Sequence, residues 1–369
     1  MVERKIGVAS SNRIPTLDGW RGIAIALVLF DHIRFAMLQP YLKSWPGTGI
    51  HGVTIFFVLS GFLITSKLIE RPIDLKRFYV RRFFRLMPTA WTYLAFILLF
   101  NHLVHRHFTS ISEVQACVLF YRNFTGNAGG GLAVHFWSLS VEEQFYIVWP
   151  ALLLLAGMRR CRWIAIAGMI GCASYRWLFW AYYDQDLIRN QTQLHADALL
   201  VGCLMALLLA EPSLRSAAER WSRVWALPAL ALLIFRVTCS TGLAPLYECI
   251  AIACLLTTST FHPNWIFIRP LSFAPLAWLD TVSYSVYVWQ EFFVYLPWDV
   301  HLRLILLTIG LPMITLFSYY CIERPSMRLG HQLTRNTPGP ATPTPMNTST
   351  NRLDDECCSR DASHSEVVQ

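Results

Sequence analysis

The chain carries little charge for its length. Asp, Glu, Lys and Arg make up 15% of 369 residues, against about 25% in an ordinary soluble domain. A water-soluble domain of this size would need more, so a soluble fold is not expected. The chain also has no CxxC pair and no metal-ligand spacing. Most of its ten cysteines stand singly in apolar runs, as Cys117, Cys172, Cys203 and Cys254 do. They read as small buried hydrophobes, which leaves no disulfide framework and no metal site expected. No cleavable leader is expected either. The first apolar run begins near Trp20 and is too long for a signal-peptide core, so it reads as a retained helix.

Apolar residues are abundant, at 54% of the chain with a mean hydropathy of +0.40. A bilayer core takes roughly 20 mostly apolar residues per helix. Ten runs qualify: 20–38, 49–69, 88–104, 141–157, 163–182, 195–210, 224–239, 246–261, 276–297 and 301–321. An eleventh, 114–124, is too short and reads as re-entrant or interfacial. The formal net charge is +8, and its distribution tests the count. With ten spans and a cytoplasmic N-terminus, the inner segments collect Arg4, Lys5, Arg13, the cluster from Lys67 to Arg85, Arg159, Arg160, Arg162 and most later arginines. The outer ones keep Lys43, Arg106, Arg122 and Arg189. This bias agrees with the positive-inside rule. It predicts both termini inside, a bilayer as partner and no nucleic acid. The expected fold class is all-α, a polytopic integral membrane protein with about ten transmembrane helices. The expected organisation is a cytoplasmic segment 1–16, a membrane domain 17–333 and a disordered, Pro/Thr/Ser-rich cytoplasmic tail 334–369.

Ionisable groups inside a span are costly and ordinarily face a cavity or a partner. The first helix has Asp18, Arg21, Asp31 and His32. At 100° per residue, Arg21 and His32 differ by only about 20° around the axis and stand roughly 16 Å apart in height. One face thus presents a cation near the surface and an imidazole deeper in. The plain reading is a snorkelling arginine and a histidine satisfied by a neighbouring helix. The chemical reading is a general base, since imidazole takes protons near neutral pH. Asp18 lies on the same side and reads as a partner for Arg21. Asp31 points elsewhere.

The inner loop ends in Arg81-Arg82-Phe83-Phe84-Arg85. Topology and anionic lipid account for its charge. Arg82 and Arg85, one helical turn apart at the mouth of a span, also suit the phosphates of a cytosolic ligand. A third segment runs from His135 through Trp137-Ser138-Leu139-Ser140-Val141-Glu142-Glu143-Gln144-Phe145-Tyr146. Ser140 followed by Glu143 predicts an N-capping box. Glu142 caps nothing and sits just inside an apolar helix, where it is expected to reach the outer end of the cavity faced by His32. His102, His105 and His107 read as a wet interface, and no metal is expected.

These segments together resemble the acyltransferase 3 family of membrane acyltransferases, which O-acylate sugars and related hydroxyl compounds. Leu17-Asp18-Gly19-Trp20-Arg21-Gly22 with His32 is similar to the family's opening motif, and Phe56 to Ile64 to its second-helix motif. Arg82-Phe83-Phe84-Arg85 resembles its Arg-x-x-Arg, and Trp137 to Tyr146 a further motif. Asp197-Ala198-Leu199-Leu200-Val201-Gly202, Ser283 to Trp289 and Glu323-Arg324-Pro325 resemble later ones. The resemblance covers about residues 13–330. The chain departs from the pattern at His195, where many members carry Arg, and at Gln290, where many carry His.

The resemblance implies a membrane O-acyltransferase with no bound cofactor. The donor is an acyl-CoA, acetyl by default, and the acceptor a carbohydrate, glycolipid or other glycosylated compound. It implies a plasma-membrane location. Arg82, Arg85 and Arg21 are expected to hold donor phosphates, and His32, Glu142 and Arg21 to be catalytic. His32 would act as general base or acyl carrier, with Glu142 orienting the acceptor or the imidazole. Asp18, Asp31, Ser60, Trp137 and Asp197 are expected to support the site, Ser60 either as a hydrogen-bond donor or as a small packing residue. The competing class is a transporter or flippase whose Arg and His line a substrate path, but neither an inverted repeat nor a pair of broken half-helices is evident.

Overall fold

The computed structural model describes residues 14–38, 47–70, 74–126, 131–179, 189–238, 244–296 and 299–335. The first 13 residues and the tail from 336 onward, including Cys357 and Cys358, lie outside them. All regular structure among the described residues is helical. In chain order the helices are α1 (Pro15–Ile33), α2 (Gly49–Glu70), α3 (Leu75–Val104), α4 (Ile111–Val118), α5 (Phe136–Leu178), α6 (Ala196–Leu209), α7 (Pro212–Thr238), α8 (Ala244–Phe261), α9 (Ala274–Tyr295), α10 (Val300–Ile305), α11 (Leu311–Phe317) and α12 (Arg324–Leu333). π-helical turns join the last three into one helical run, Val300–Leu333.

Length and composition qualify four helices as membrane-crossing: Gly49–Glu70, Leu75–Val104, Phe136–Leu178 and Val300–Leu333. A fifth results if α6 and α7, bent by 109° at their junction, form one broken span. This is fewer than the ten runs read from the sequence, for physical reasons. α1 carries Asp18, Arg21 and Asp31 within 19 residues, and α8 is short. α5 is broken at Gly157, whose φ of 73° interrupts the helical ladder, so one long helix covers two of the ten runs. Glycine adopts that backbone without the steric cost a Cβ would bring. The short run at 114–124 folds as α4 followed by a single 3₁₀ turn.

Local chemistry fixes the helix starts. Pro15 opens α1, where its missing N–H costs nothing. Asp74 caps α3 by accepting from the Arg77 N–H at 2.9 Å. A capping box does occur, but it belongs to Ser110 and Glu113 at the start of α4. The box expected at Ser140 and Glu143 is overturned. α5 starts a turn earlier, at Phe136, so Ser140 is interior and donates to the Phe136 carbonyl at 2.9 Å.

Close helix crossings set the frame around α1, α2, α6 and α9. A Cβ on Gly61 of α2 would lie 2.0 Å from the Leu199 carbonyl oxygen of α6, and one on Gly202 of α6 would lie 2.0 Å from the Val58 carbonyl oxygen of α2. The two backbones touch through reciprocal glycines, a common device between helices in lipid. Gly202→Ala should therefore push the two backbones apart. We expect a loss of about 1–3 kcal/mol or more, as overpacked cores show, read as a lower unfolding temperature in detergent. An unchanged melting curve would mean that the crossing is looser than described.

Candidate functional site

α1 and α9 run parallel, as the order of their contacts shows: Gly19 meets Leu271, Gly22 meets Leu276, Arg21 pairs with Asp280 and His32 with Glu291. The last two pairs are 11 residues apart on both helices. That spacing, three helical turns, returns each side chain to the same face. Two polar layers result, roughly 16 Å apart at 1.5 Å per residue.

The first layer surrounds a cavity of about 780 Å³, open mouth included. Arg21, Ser60, Arg82, Arg85, Glu142 and Tyr287 line it, together with Phe56 and Phe57. Arg21 faces Asp280 at 3.8 Å. Arg82 is enclosed by acid. Its Nε donates to Glu143 at 2.8 Å, its Nη2 lies 2.6 Å from the same carboxylate and 3.8 Å from Glu142, and its guanidinium stacks 3.2 Å above the Tyr146 ring. Arg85, one turn on, is exposed on the cavity wall. The Ser60 and Tyr146 hydroxyls both donate to Glu142, the latter at 2.9 Å.

Glu142 therefore does not sit where the sequence placed it. It belongs with Arg82, Ser60 and Tyr146, not with the imidazole of His32. His135, the residue that precedes α5 and stands seven before Glu142, about 10 Å away along the axis, lies in the second layer instead. His135 is hydrogen-bonded through Nε2 to the Val288 carbonyl (3.1 Å), and its Nδ1 lies 3.8 Å from Glu291. His32 Nε2 is 3.9 Å from the same Glu291 oxygen. Gln290, wholly buried, lies beside His32. The carboxylate next to His32 is thus Glu291. Sequence reasoning missed Glu291, His135 and Asp280, although the shared 11-residue spacing of Asp280/Glu291 and Arg21/His32 was there to be found.

The remaining candidates divide by what they touch. Asp31 pairs with Arg34 at 2.9 Å and accepts from the Thr48 N–H, fastening the end of α1 to the start of α2. Asp197 forms a sealed ion pair with Arg176, which also donates to the Leu194 carbonyl. Trp137 packs edge-on against Phe57 and lies over the ring of His195, centroids 4.8 Å apart. Asp18 is half-buried one turn before Arg21. No cluster of His, Cys, Asp and Glu among the described residues has the arrangement of a metal site.

Between the layers, Ser138 and the Tyr287 hydroxyl meet at 2.6 Å, and Tyr287 also donates to the His135 carbonyl. This bridge ties α5 to α9.

Residues 14–323 match the family model described as "Acyltransferase domain". Over 318 residues the chain is 28% identical to the peptidoglycan O-acetyltransferase OatA of Listeria monocytogenes, a match covering 76% of this chain and 49% of that protein. It is 26% identical over 314 residues to the O-acetyltransferase OatA of Staphylococcus aureus, covering 76% and 50%. The chain thus spans about half the length of these curated relatives. No solved structure matches. With the family model matched over most of its length, the chain belongs to the acyltransferase family.

Proposed function

We propose that the chain is a membrane O-acetyltransferase that moves an acyl group from a cytosolic acyl-CoA to a hydroxyl of a carbohydrate acceptor. The observation that carries this reading is the pair of polar layers along α1 and α9. One is a cationic cavity with Arg85 exposed on its wall, and the other holds the imidazole of His32. A donor with phosphates at one end and a thioester at the other, joined by an extended arm, matches that separation. Arg85 and Arg21 bind its phosphates. Arg82, already engaged by Glu142 and Glu143, shapes the cavity. His32 takes the proton of the acceptor hydroxyl.

The relatives' names support acetyl as the group and a peptidoglycan-type sugar as the acceptor. The basic loops support an inner-membrane protein of about ten spans with both termini in the cytoplasm. A transporter would be favoured by a pair of broken spans, and the α6–α7 bend is a single one among the described residues.

The test is turnover of labelled acetyl-CoA by purified protein in the presence of a carbohydrate acceptor. Arg85→Ala is expected to raise the donor KM by about tenfold or more with kcat little changed, as loss of a charge-assisted contact made equally in ground and transition states would. A kcat loss at constant KM would remove Arg85 from phosphate binding.

A further inference from the structure

The second layer holds more unspent polar capacity than any other buried part of the described residues. His32 Nδ1, His135 Nδ1, Glu291 Oε2 and both amide atoms of Gln290 are sealed from solvent without a hydrogen-bond partner. Leaving such groups unpaired costs about 1–3 kcal/mol each, so a set this dense points to a functional arrangement. The His32 side chain nevertheless keeps 24% of its surface. With Nδ1 sealed, what reaches the ring reaches its Nε2 edge, where Glu291 stands at 3.9 Å.

His135 sharpens the picture. The Val288 carbonyl only accepts, so His135 Nε2 carries a hydrogen. Its Nδ1 then turns toward the Glu291 oxygen at 3.8 Å. One Glu291 oxygen thus stands between the two rings, 3.9 Å from His32 Nε2 and 3.8 Å from His135 Nδ1.

We propose that Glu291 is the positioning residue of His32: it stabilises the imidazolium that forms during transfer, with His135 beside it. This rests on the acyltransferase reading above. In the step, the acceptor O–H gives its proton to His32 Nε2 while its oxygen bonds to the acyl carbon. The carbon–sulfur bond of the thioester breaks, and the leaving thiolate takes the proton back from His32. The imidazolium exists only between these events. A carboxylate 3.9 Å from Nε2 is attracted to that charged ring far more than to the neutral one, which is how a fixed charge lowers a barrier. The same oxygen is reached by no cation from α3 or α5, whose Arg82 is committed to Glu142 and Glu143 a layer away.

The test uses the full chain in detergent or nanodiscs, with Glu291→Gln, Glu291→Asp and His32→Ala. Glu291→Gln keeps size and removes charge. It is expected to lower kcat roughly 10²-fold, within the range of general-base effects, with the acetyl-CoA KM within about twofold of wild type and the unfolding temperature unchanged. Glu291→Asp should recover a large part of the rate. Nitrogen NMR of isotope-labelled histidine, with the His32 signals assigned from His32→Ala, should show the His32 ring nitrogens shifted in Glu291→Gln. Wild-type kcat in Glu291→Gln overturns the proposal, as does an equal fall of kcat and unfolding temperature that Glu291→Asp fails to reverse. Unshifted His32 nitrogens overturn it even if no acyl transfer is seen in any form. Absence of transfer by the wild type, with the nitrogen shift present, would defeat the acyltransferase reading and leave the Glu291–His32 coupling standing.

Discussion

Replacing His32 with alanine is expected to abolish acyl transfer, a loss of at least the roughly 10²–10⁴-fold that a general base contributes, while the protein stays folded. Both halves arise from the surroundings of the ring. Glu291 stands 3.9 Å from Nε2, and Nδ1 has no partner in hydrogen-bond geometry. Removing the ring therefore breaks no close hydrogen bond. Glu291 still faces His135 at 3.8 Å, and so is not stranded. The measurement is initial rate with labelled acetyl-CoA alongside a melting curve for the same preparation. A His32→Ala protein with full activity would sink the mechanism. A protein that is inactive because it no longer folds would show a depressed melting curve, and His32→Gln, which keeps most of the volume, would then carry the test.

The second large effect is expected at Arg82, and it differs in kind. Arg82→Ala strips the counter-charge from two adjacent carboxylates. Glu143 lies within 2.6 Å of the guanidinium and is almost sealed, and Glu142 lies at 3.8 Å. Breaking a buried ion pair from one side costs about 3–5 kcal/mol, because the partner remains buried and uncompensated. Lysine should not restore the site. A point charge cannot reproduce both the contact through Nε and Nη2 and the stacking over Tyr146. Adding Glu143→Gln to Arg82→Ala should recover most of the lost stability, since neighbours in one network are not additive. Thermal unfolding of the two single variants and the double variant checks this. Should Arg82→Ala melt like wild type and merely raise the donor KM, Arg82 would be a phosphate ligand like Arg85.

The division between Arg82 and Arg85 shows what the sequence left undecided. Both stand in the same Arg-x-x-Arg, one turn apart, and helix periodicity treats them alike. What separates them is the neighbouring helix, α5, which brings Glu142, Glu143 and Tyr146 against Arg82 and leaves Arg85 on the open wall. Glu142 was misplaced for a related reason. Its helix starts at Phe136, a turn before the apparent capping box, and the sequence does not say how far α5 slides along α1. The Ser110–Glu113 box shows that the local signal was sound chemistry; at Ser140 the helix's own backbone bonds left nothing to cap.

By itself the sequence determined the properties that depend on composition and on the period along a single helix. The scarcity of charge and the apolar runs made the chain helical and suited to a bilayer. The 11-residue step put Arg21 and His32 on one face of α1, and the apolar run ending at Gly157 coincides with the break in α5. Those properties depend on neighbours a few residues apart. The tertiary structure decided which helices stand beside that face, and at what height: α9 supplies Asp280 to Arg21 and Glu291 to His32, and the residue that precedes α5, His135, stands by Glu291. Such pairings join residues more than a hundred positions apart. They are set by reciprocal close crossings such as Gly61 with Gly202 and by the satisfaction of buried polar groups, neither of which any one helix carries within itself.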